Sequence, residues 1–223
     1  MSFVDRSEAG RRLAQALAAY KTRRPVVLAL PRGGVPVAAE VAKALDAELD
    51  LVLVRKIGVP FEPELAMGAV VDGPEPITVR NEDVIAMAGV SEAAFAAVRD
   101  RELGEIARRR ATYLGDRPHA DVRGRTAIVI DDGIATGATV RAALRAVRAR
   151  GPKTLVLAVP VAAPDTIRAL RSEADKVVCL EQPGRFRAIG LYYADFEQVA
   201  DETVIALLKA HPVRPVAGKP HAD

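Results

Sequence analysis

The chain has 223 residues, half of them hydrophobic, with 32 basic against 29 acidic side chains and a net charge of +3. That length supports a sizeable core without staples, and the single cysteine, Cys179, excludes an internal disulfide framework and a cysteine-based zinc cluster. Balanced charge and few aromatic residues (five Phe, four Tyr, no Trp) argue against nucleic-acid binding. No apolar run reaches membrane-spanning length, and the opening MSFVDRSEAGRRLAQAL lacks a secretory core and cleavage site, so a cytoplasmic location is expected.

In chain order, Leu13, Ala14, Leu17 and Ala18 recur at helical spacing and predict a helix over 5–20. Residues 25–30 predict a short strand, ended by Pro31-Arg32-Gly33-Gly34. A helix follows over 35–45, with Pro36 in its tolerated first turn. Residues 51–54 predict the next buried strand, closed by Arg55-Lys56; 66–71 and 77–80 predict a third and a shorter edge strand. The stretch 82–112 reads as helical in two parts, broken near Gly89-Val90-Ser91. Its mixed charges suggest a solvated face, with one or two arginines folding over a site as the alternative.

Strand 127–130 then leads to a helix whose Val140, Leu144 and Val147 face the core while Arg141, Arg145 and Arg148 face solvent. Strand 154–159, helix 165–171, strand 176–180 and a last helix over 198–210 continue the alternation. The whole predicts an α/β fold with a doubly wound, mostly parallel sheet. One domain over 1–211 is expected, with a helical insertion at about 72–125, a small hood at about 181–211 and a disordered tail over 212–223.

The densest chemistry lies in Ala127-Ile-Val-Ile130-Asp131-Asp132-Gly133-Ile134-Ala135-Thr136-Gly137-Ala138-Thr139. An apolar run drives into two carboxylates at the carboxyl end of a buried strand, where open α/β sheets place ligands. A glycine and threonine loop follows, entering a helix whose free N–H groups suit a phosphate. Carboxylates beside an anion cup fit a ligand carrying both hydroxyls and phosphate, such as a sugar phosphate. The Walker lysine and the G-x-G-x-x-G spacing are both missing.

This string closely resembles the 13-residue signature of the type I phosphoribosyltransferases, which bind phosphoribosyl pyrophosphate (PRPP). The resemblance implies that Asp131 and Asp132 hold the ribose hydroxyls and lie near Mg²⁺, in indirect contact with it. It implies a 5′-phosphate cup at Ala135, Thr136, Gly137, Ala138 and Thr139. Pro31-Arg32-Gly33-Gly34 matches the family's pyrophosphate loop, with a cis peptide expected at Pro31–Arg32. On the residues alone, its glycines offer unusual backbone angles and exposed N–H groups, and Arg32 offers a charged fork. Arg55 and Lys56 read either as a surface charge pair or, by the resemblance, as pyrophosphate contacts. The family's lid then falls at 57–65, or within 72–125.

Phe186 and Tyr192 are candidates to stack on a base, although Phe186, Tyr192, Tyr193 and Phe196 read equally as packing for the last helix. The 6-oxopurine enzymes of the family usually carry Asp where this chain has Ala135, which places it closer to other relatives. The implied activity is transfer of the 5-phosphoribosyl group from PRPP to a nitrogenous base, with Asp131, Asp132, Arg32 and Lys56 as catalytic residues and Mg²⁺ as cofactor. The implied partners are PRPP and a small base, with neither nucleic acid nor membrane; a homodimer is compatible with the family. Two alternatives remain open: a PRPP-sensing protein without turnover, and a metal-dependent hydrolase built on the acidic pair.

Overall fold

The structure is a computed structural model that describes residues 2–73 and 75–213. Five strands form a parallel sheet: β1 (Val26–Ala29), β2 (Glu48–Leu51), β6 (Thr126–Ile130), β7 (Thr154–Val161) and β8 (Lys176–Glu181), in the order β2-β1-β6-β7-β8. Three more form an antiparallel sheet, β3 (Val54–Val59), β4 (Glu62–Val71) and β5 (Ile77–Arg80).

Period-two alternation divides the strand side chains between two cores. Val27, Ala29, Ile128 and Ile130 join the core under α1 (Arg6–Ala16), α2 (Gly34–Leu45), α4 (Glu92–Leu114) and α7 (Asp201–Ala210). Val26, Leu28, Ala127 and Val129 join the opposite core with α5 (Ala138–Ala149) and α6 (Pro164–Leu170). Both faces of the sheet are therefore covered, which is the doubly wound arrangement. Helix α5 turns Val140, Leu144 and Val147 inward as expected. Arg145 reaches Glu173 at 2.8 Å and Arg148 reaches Asp175 at 2.9 Å. Arg145 and Arg148 are exposed as expected and Arg141 is half-buried, while Arg141 and Arg145 also line a cavity against the antiparallel sheet.

The second parallel strand lies at Glu48–Leu51, three residues before the expected 51–54. Glu48 and Asp50 are buried within it, which an apolar-run reading passes over. Each is made tolerable by a distant partner: Arg125 reaches Glu48 at 2.9 Å, and the Ala120 amide donates to Asp50 at 2.8 Å. After Val52 and Leu53 the chain turns into the antiparallel sheet. Residues 57–65, one of the two segments where the lid is expected, are therefore a hairpin with Phe61 exposed at its tip.

Beyond it, α3 (Glu82–Ala88) and α4 are separated as expected. Gly89 takes a left-handed φ of 62°, and the Ser91 hydroxyl accepts the Ala94 amide at 3.2 Å. The stretch expected as a helical insertion also carries β5. The last helix, within the stretch expected to form the hood, begins at Asp201 and packs on α2 and α4. Of the tail expected to be disordered, residues 214–223 lie outside the described residues. No described helix is long and apolar enough to cross a membrane.

Candidate active site

The strand order reverses between β1 and β6, so the loops leaving these two neighbours part to opposite faces and open a crevice. Register pairs Ala29 with Ile130, and the Leu30 amide donates to the Ile130 carbonyl at 2.9 Å. The Pro31–Gly34 turn and the Asp131-Asp132 pair consequently emerge side by side. The Pro31–Arg32 peptide is cis, as expected.

Gly33 has an ordinary helical φ of −59°, so the expectation of unusual backbone angles at the glycine pair is corrected there. Close approach is what Gly33 provides. A methyl group at Gly33 would land on the Asp132 carboxylate, and one at Gly34 would lie 2.8 Å from the Ile130 carbonyl oxygen and 2.9 Å from Asp131 Cα. Only a loop without side chains can lie this tightly on the acids.

The two carboxylates sit in different surroundings. Asp131 keeps some exposure, and its Oδ1 accepts the Asp132 amide at 2.9 Å. Burial, and then the neighbouring Asp132 charge, hold its carboxyl well above the usual range. Asp132 is buried; burial raises it too, while Arg6 opposes the rise. Arg6 Nε donates to Asp132 Oδ2 at 2.8 Å, and the Tyr193 hydroxyl donates to the Asp132 carbonyl at 2.6 Å.

Residues 2–4 explain how Arg6 arrives there. They pair with 192–195, the Phe3 amide donating to Tyr192 O at 2.9 Å and the Ala194 amide to Phe3 O at 2.9 Å. Helix α1 begins immediately afterwards, its Asp5 cap accepting the Glu8 amide at 2.6 Å. Removing the Tyr193 hydroxyl (Tyr193→Phe) leaves a buried carbonyl unpaired and is expected to cost about 1–3 kcal/mol. Urea unfolding at neutral pH measures this, and an unchanged midpoint would show the bond to be dispensable.

The glycine–threonine loop enters α5 through Gly137, whose φ of +78° favours glycine and whose Cβ position lies 2.7 Å from Thr166 Cγ2. Ala135, Thr136, Ala138 and Thr139 are exposed around it at the helix N-terminus. Thr166 Oγ1 fixes the loop by donating to the Ala135 carbonyl at 2.6 Å. An exposed cup of this kind at a helix start suits a phosphate dianion.

The basic candidates divide between two places. Arg32 meets Asp201 at 3.4 Å, and Asp201 also accepts the Tyr113 hydroxyl at 2.8 Å. Lys56 bonds Glu64 at 3.0 Å, while Arg55 is turned to Glu102 of α4 at 2.8 Å. Lys56 and Thr139 line two adjoining cavities of about 570 and 510 Å³, and Arg55 lines the second. The aromatic candidates form a pair of their own: Phe186 stacks on Tyr192 at 5.6 Å and 14°. Tyr193 is buried between Phe3 at 5.3 Å and Phe196 at 5.0 Å, so packing is its role toward the aromatics. No motif in the sequence points to Arg6, Tyr113 or Asp201 as neighbours of the site. Arg6 acts 126 residues away from its partner, and no local spacing signals that.

A parallel sheet opening its ligand edge at this switch point, with an antiparallel hairpin sheet beside it, is the type I phosphoribosyltransferase architecture. Residues 6–196 match the model of the phosphoribosyl transferase domain, and the chain belongs to that family. Two Mycobacterium tuberculosis strains, CDC 1551 / Oshkosh and ATCC 25618 / H37Rv, each carry a similar protein provisionally named a phosphoribosyl transferase. Each is 48% identical over 210 residues, covering 94% of this chain and 47% of the relative. The chain thus spans about half the length of those relatives. A crystal structure of a Thermus thermophilus protein is 43% identical with a TM-score of 0.84, over 95% of this chain and 100% of that one.

Proposed function

We propose that the protein transfers the 5-phosphoribosyl group of PRPP to a ring nitrogen of a small nitrogenous base, releasing pyrophosphate. The carrying observation is the apposition of Gly33 and the Asp131-Asp132 pair at the switch point, with the Gly137 cup following on the same strand exit. That apposition supports reading the three segments as a pyrophosphate loop, a ribose clamp and a 5′-phosphate cup along one crevice.

In the reaction the bond from ribose C1 to the pyrophosphate oxygen breaks, a C1–N bond forms, and the base nitrogen gives its proton to solvent. The transition state resembles an oxocarbenium ion, as in glycoside cleavage. Asp131 and Asp132 hold the hydroxyls of the sugar. The cup of Ala135, Thr136, Gly137, Ala138 and Thr139 anchors the other end. Arg32, Gly33 and Gly34, with Lys56 and Arg55 from the hairpin side, meet the charge that grows on pyrophosphate. For the two hairpin cations this requires release from Glu64 and Glu102. Phe186 and Tyr192 offer their stacked pair to the base.

Among the described residues no group of three or more His, Cys, Asp or Glu could hold a metal alone. The hard oxygens of Asp131 and Asp132 nevertheless suit Mg²⁺ in indirect contact, an ion that keeps several waters and is held largely by substrate oxygens. Bound there, it supplies charge neutralisation to the leaving pyrophosphate.

The test is pyrophosphate release from PRPP and Mg²⁺ across a panel of bases. Base-dependent release supports transfer. Tight PRPP binding without release supports the sensing alternative, and base-independent release supports hydrolysis. Arg32→Ala is expected to weaken PRPP binding roughly tenfold or more, the loss of a charge-assisted contact, while affinity for ribose 5-phosphate stays unchanged. Titration calorimetry with both ligands measures it; equal PRPP affinity would remove Arg32 from the pyrophosphate site.

A further inference from the structure

Given the ribose clamp proposed above, we infer that Arg6 is its positioning residue, a guanidinium strut that sets the Asp132 carboxylate and ties it to the segment after β8. Three contacts hold Arg6. Its Nε donates to Asp132 Oδ2 at 2.8 Å, one terminal nitrogen donates to the Glu197 carbonyl at 2.8 Å, and its Cζ lies 3.8 Å from the centroid of the Phe196 ring. Both side chains of the ion pair are nearly closed to solvent, Arg6 at 12% and Asp132 at 11% exposure. Exposed ion pairs are screened and mobile, but here the fork is held on three sides.

The consequence is geometric. Arg6 takes one oxygen of Asp132, and Gly33 packs against the same carboxylate from the pyrophosphate loop. The other oxygen is left as the acceptor for a sugar hydroxyl, assigned to the 2-hydroxyl, and its direction is set by Arg6. The backbone of the same residue is held by Tyr193, which neighbours Phe196 at 5.0 Å. Asp132 is thereby fixed at side chain and main chain by groups that the N-terminal segment and residues 192–197 bring together. A lysine in place of Arg6 keeps the charge, but its ammonium lacks the planar fork that spans carboxylate, carbonyl and ring together.

The experiment uses the full chain with Mg²⁺ and three probes: ribose 5-phosphate, 2-deoxyribose 5-phosphate and inorganic phosphate. Calorimetric affinities are compared for wild type, Arg6→Gln and Arg6→Lys, with far-ultraviolet circular dichroism as the folding control. Wild type is expected to favour the ribose over the deoxyribose ligand by about tenfold, the value of one hydrogen bond to a charged acceptor. Arg6→Gln is expected to bring that ratio close to one without changing phosphate affinity, and Arg6→Lys to leave an intermediate ratio. A wild-type ratio in Arg6→Gln overturns the inference, as does a parallel loss of phosphate affinity, which marks a merely structural bridge. If Arg6→Gln does not fold, Arg6→Lys decides alone: a lowered ratio with intact phosphate binding supports the strut, and an unchanged ratio overturns it. A wild type that binds phosphate yet ignores the 2-hydroxyl sinks the ribose clamp itself, a result distinct from failure at Arg6.

Discussion

Replacing both acids, Asp131→Asn with Asp132→Asn, is expected to weaken PRPP binding by about two orders of magnitude or more while the chain stays folded. Each amide keeps the size of its acid but loses the charge that makes a bond to a sugar hydroxyl strong, roughly 1.5–3 kcal/mol apiece. The stability change should run the other way or be small. Burial holds both carboxyls above their ordinary range, so their ionised forms are a cost to the folded state at neutral pH. Such groups favour folding below the unfolded carboxyl range and lose that contribution as pH rises through the folded one. Relieving the cost at Asp131 offsets the loss of the Arg6 ion pair at Asp132. Calorimetry with PRPP and Mg²⁺, alongside a thermal melt, reads both effects. Retained affinity would show that the pair does not hold the ribose.

Gly33→Ala carries the second large effect. Its methyl would occupy the place of the Asp132 carboxylate, which Arg6 pins in turn. Either the pyrophosphate loop lifts or the acid is displaced, and both outcomes separate the two halves of the crevice. Overpacking of this sort typically costs about 1–3 kcal/mol of stability. The loss of PRPP binding should exceed that of Arg32→Ala, since the loop and the clamp are disturbed together. Urea denaturation and PRPP titration of the variant check the two parts. A variant with wild-type stability and affinity would mean that the loop and the acid are not in contact.

Much of this arrangement was legible from local pattern. The apolar run of β6 ending in two acids and the glycine turn into α5 each follow from a few adjacent residues, and the cis turn after β1 follows from the family resemblance of Pro31-Arg32-Gly33-Gly34. Three features were not, for one physical reason: their stabilising partners are remote in sequence. The edge strand at Glu48–Leu51 hides its carboxylates through Arg125 and Ala120, so its polar letters masked a buried strand. Arg32 is held by Asp201, which Tyr113 of α4 also contacts, at a junction that only packing creates. Arg6 looks like an ordinary charge in the first turn of an amphipathic helix until residues 2–4 pair beside Tyr193. A fourth, the hairpin at 54–71, is masked for a different reason: its bulge at Ile57–Val59 interrupts the strand alternation.

The most direct measurement is a crystal structure of the chain soaked with PRPP and Mg²⁺. The account predicts the ribose hydroxyls on Asp131 and Asp132, the 5′-phosphate among the amides of Thr136 to Thr139, and pyrophosphate against Arg32 and Gly33. PRPP bound elsewhere on the molecule, or a crevice left empty at saturating ligand, would contradict it.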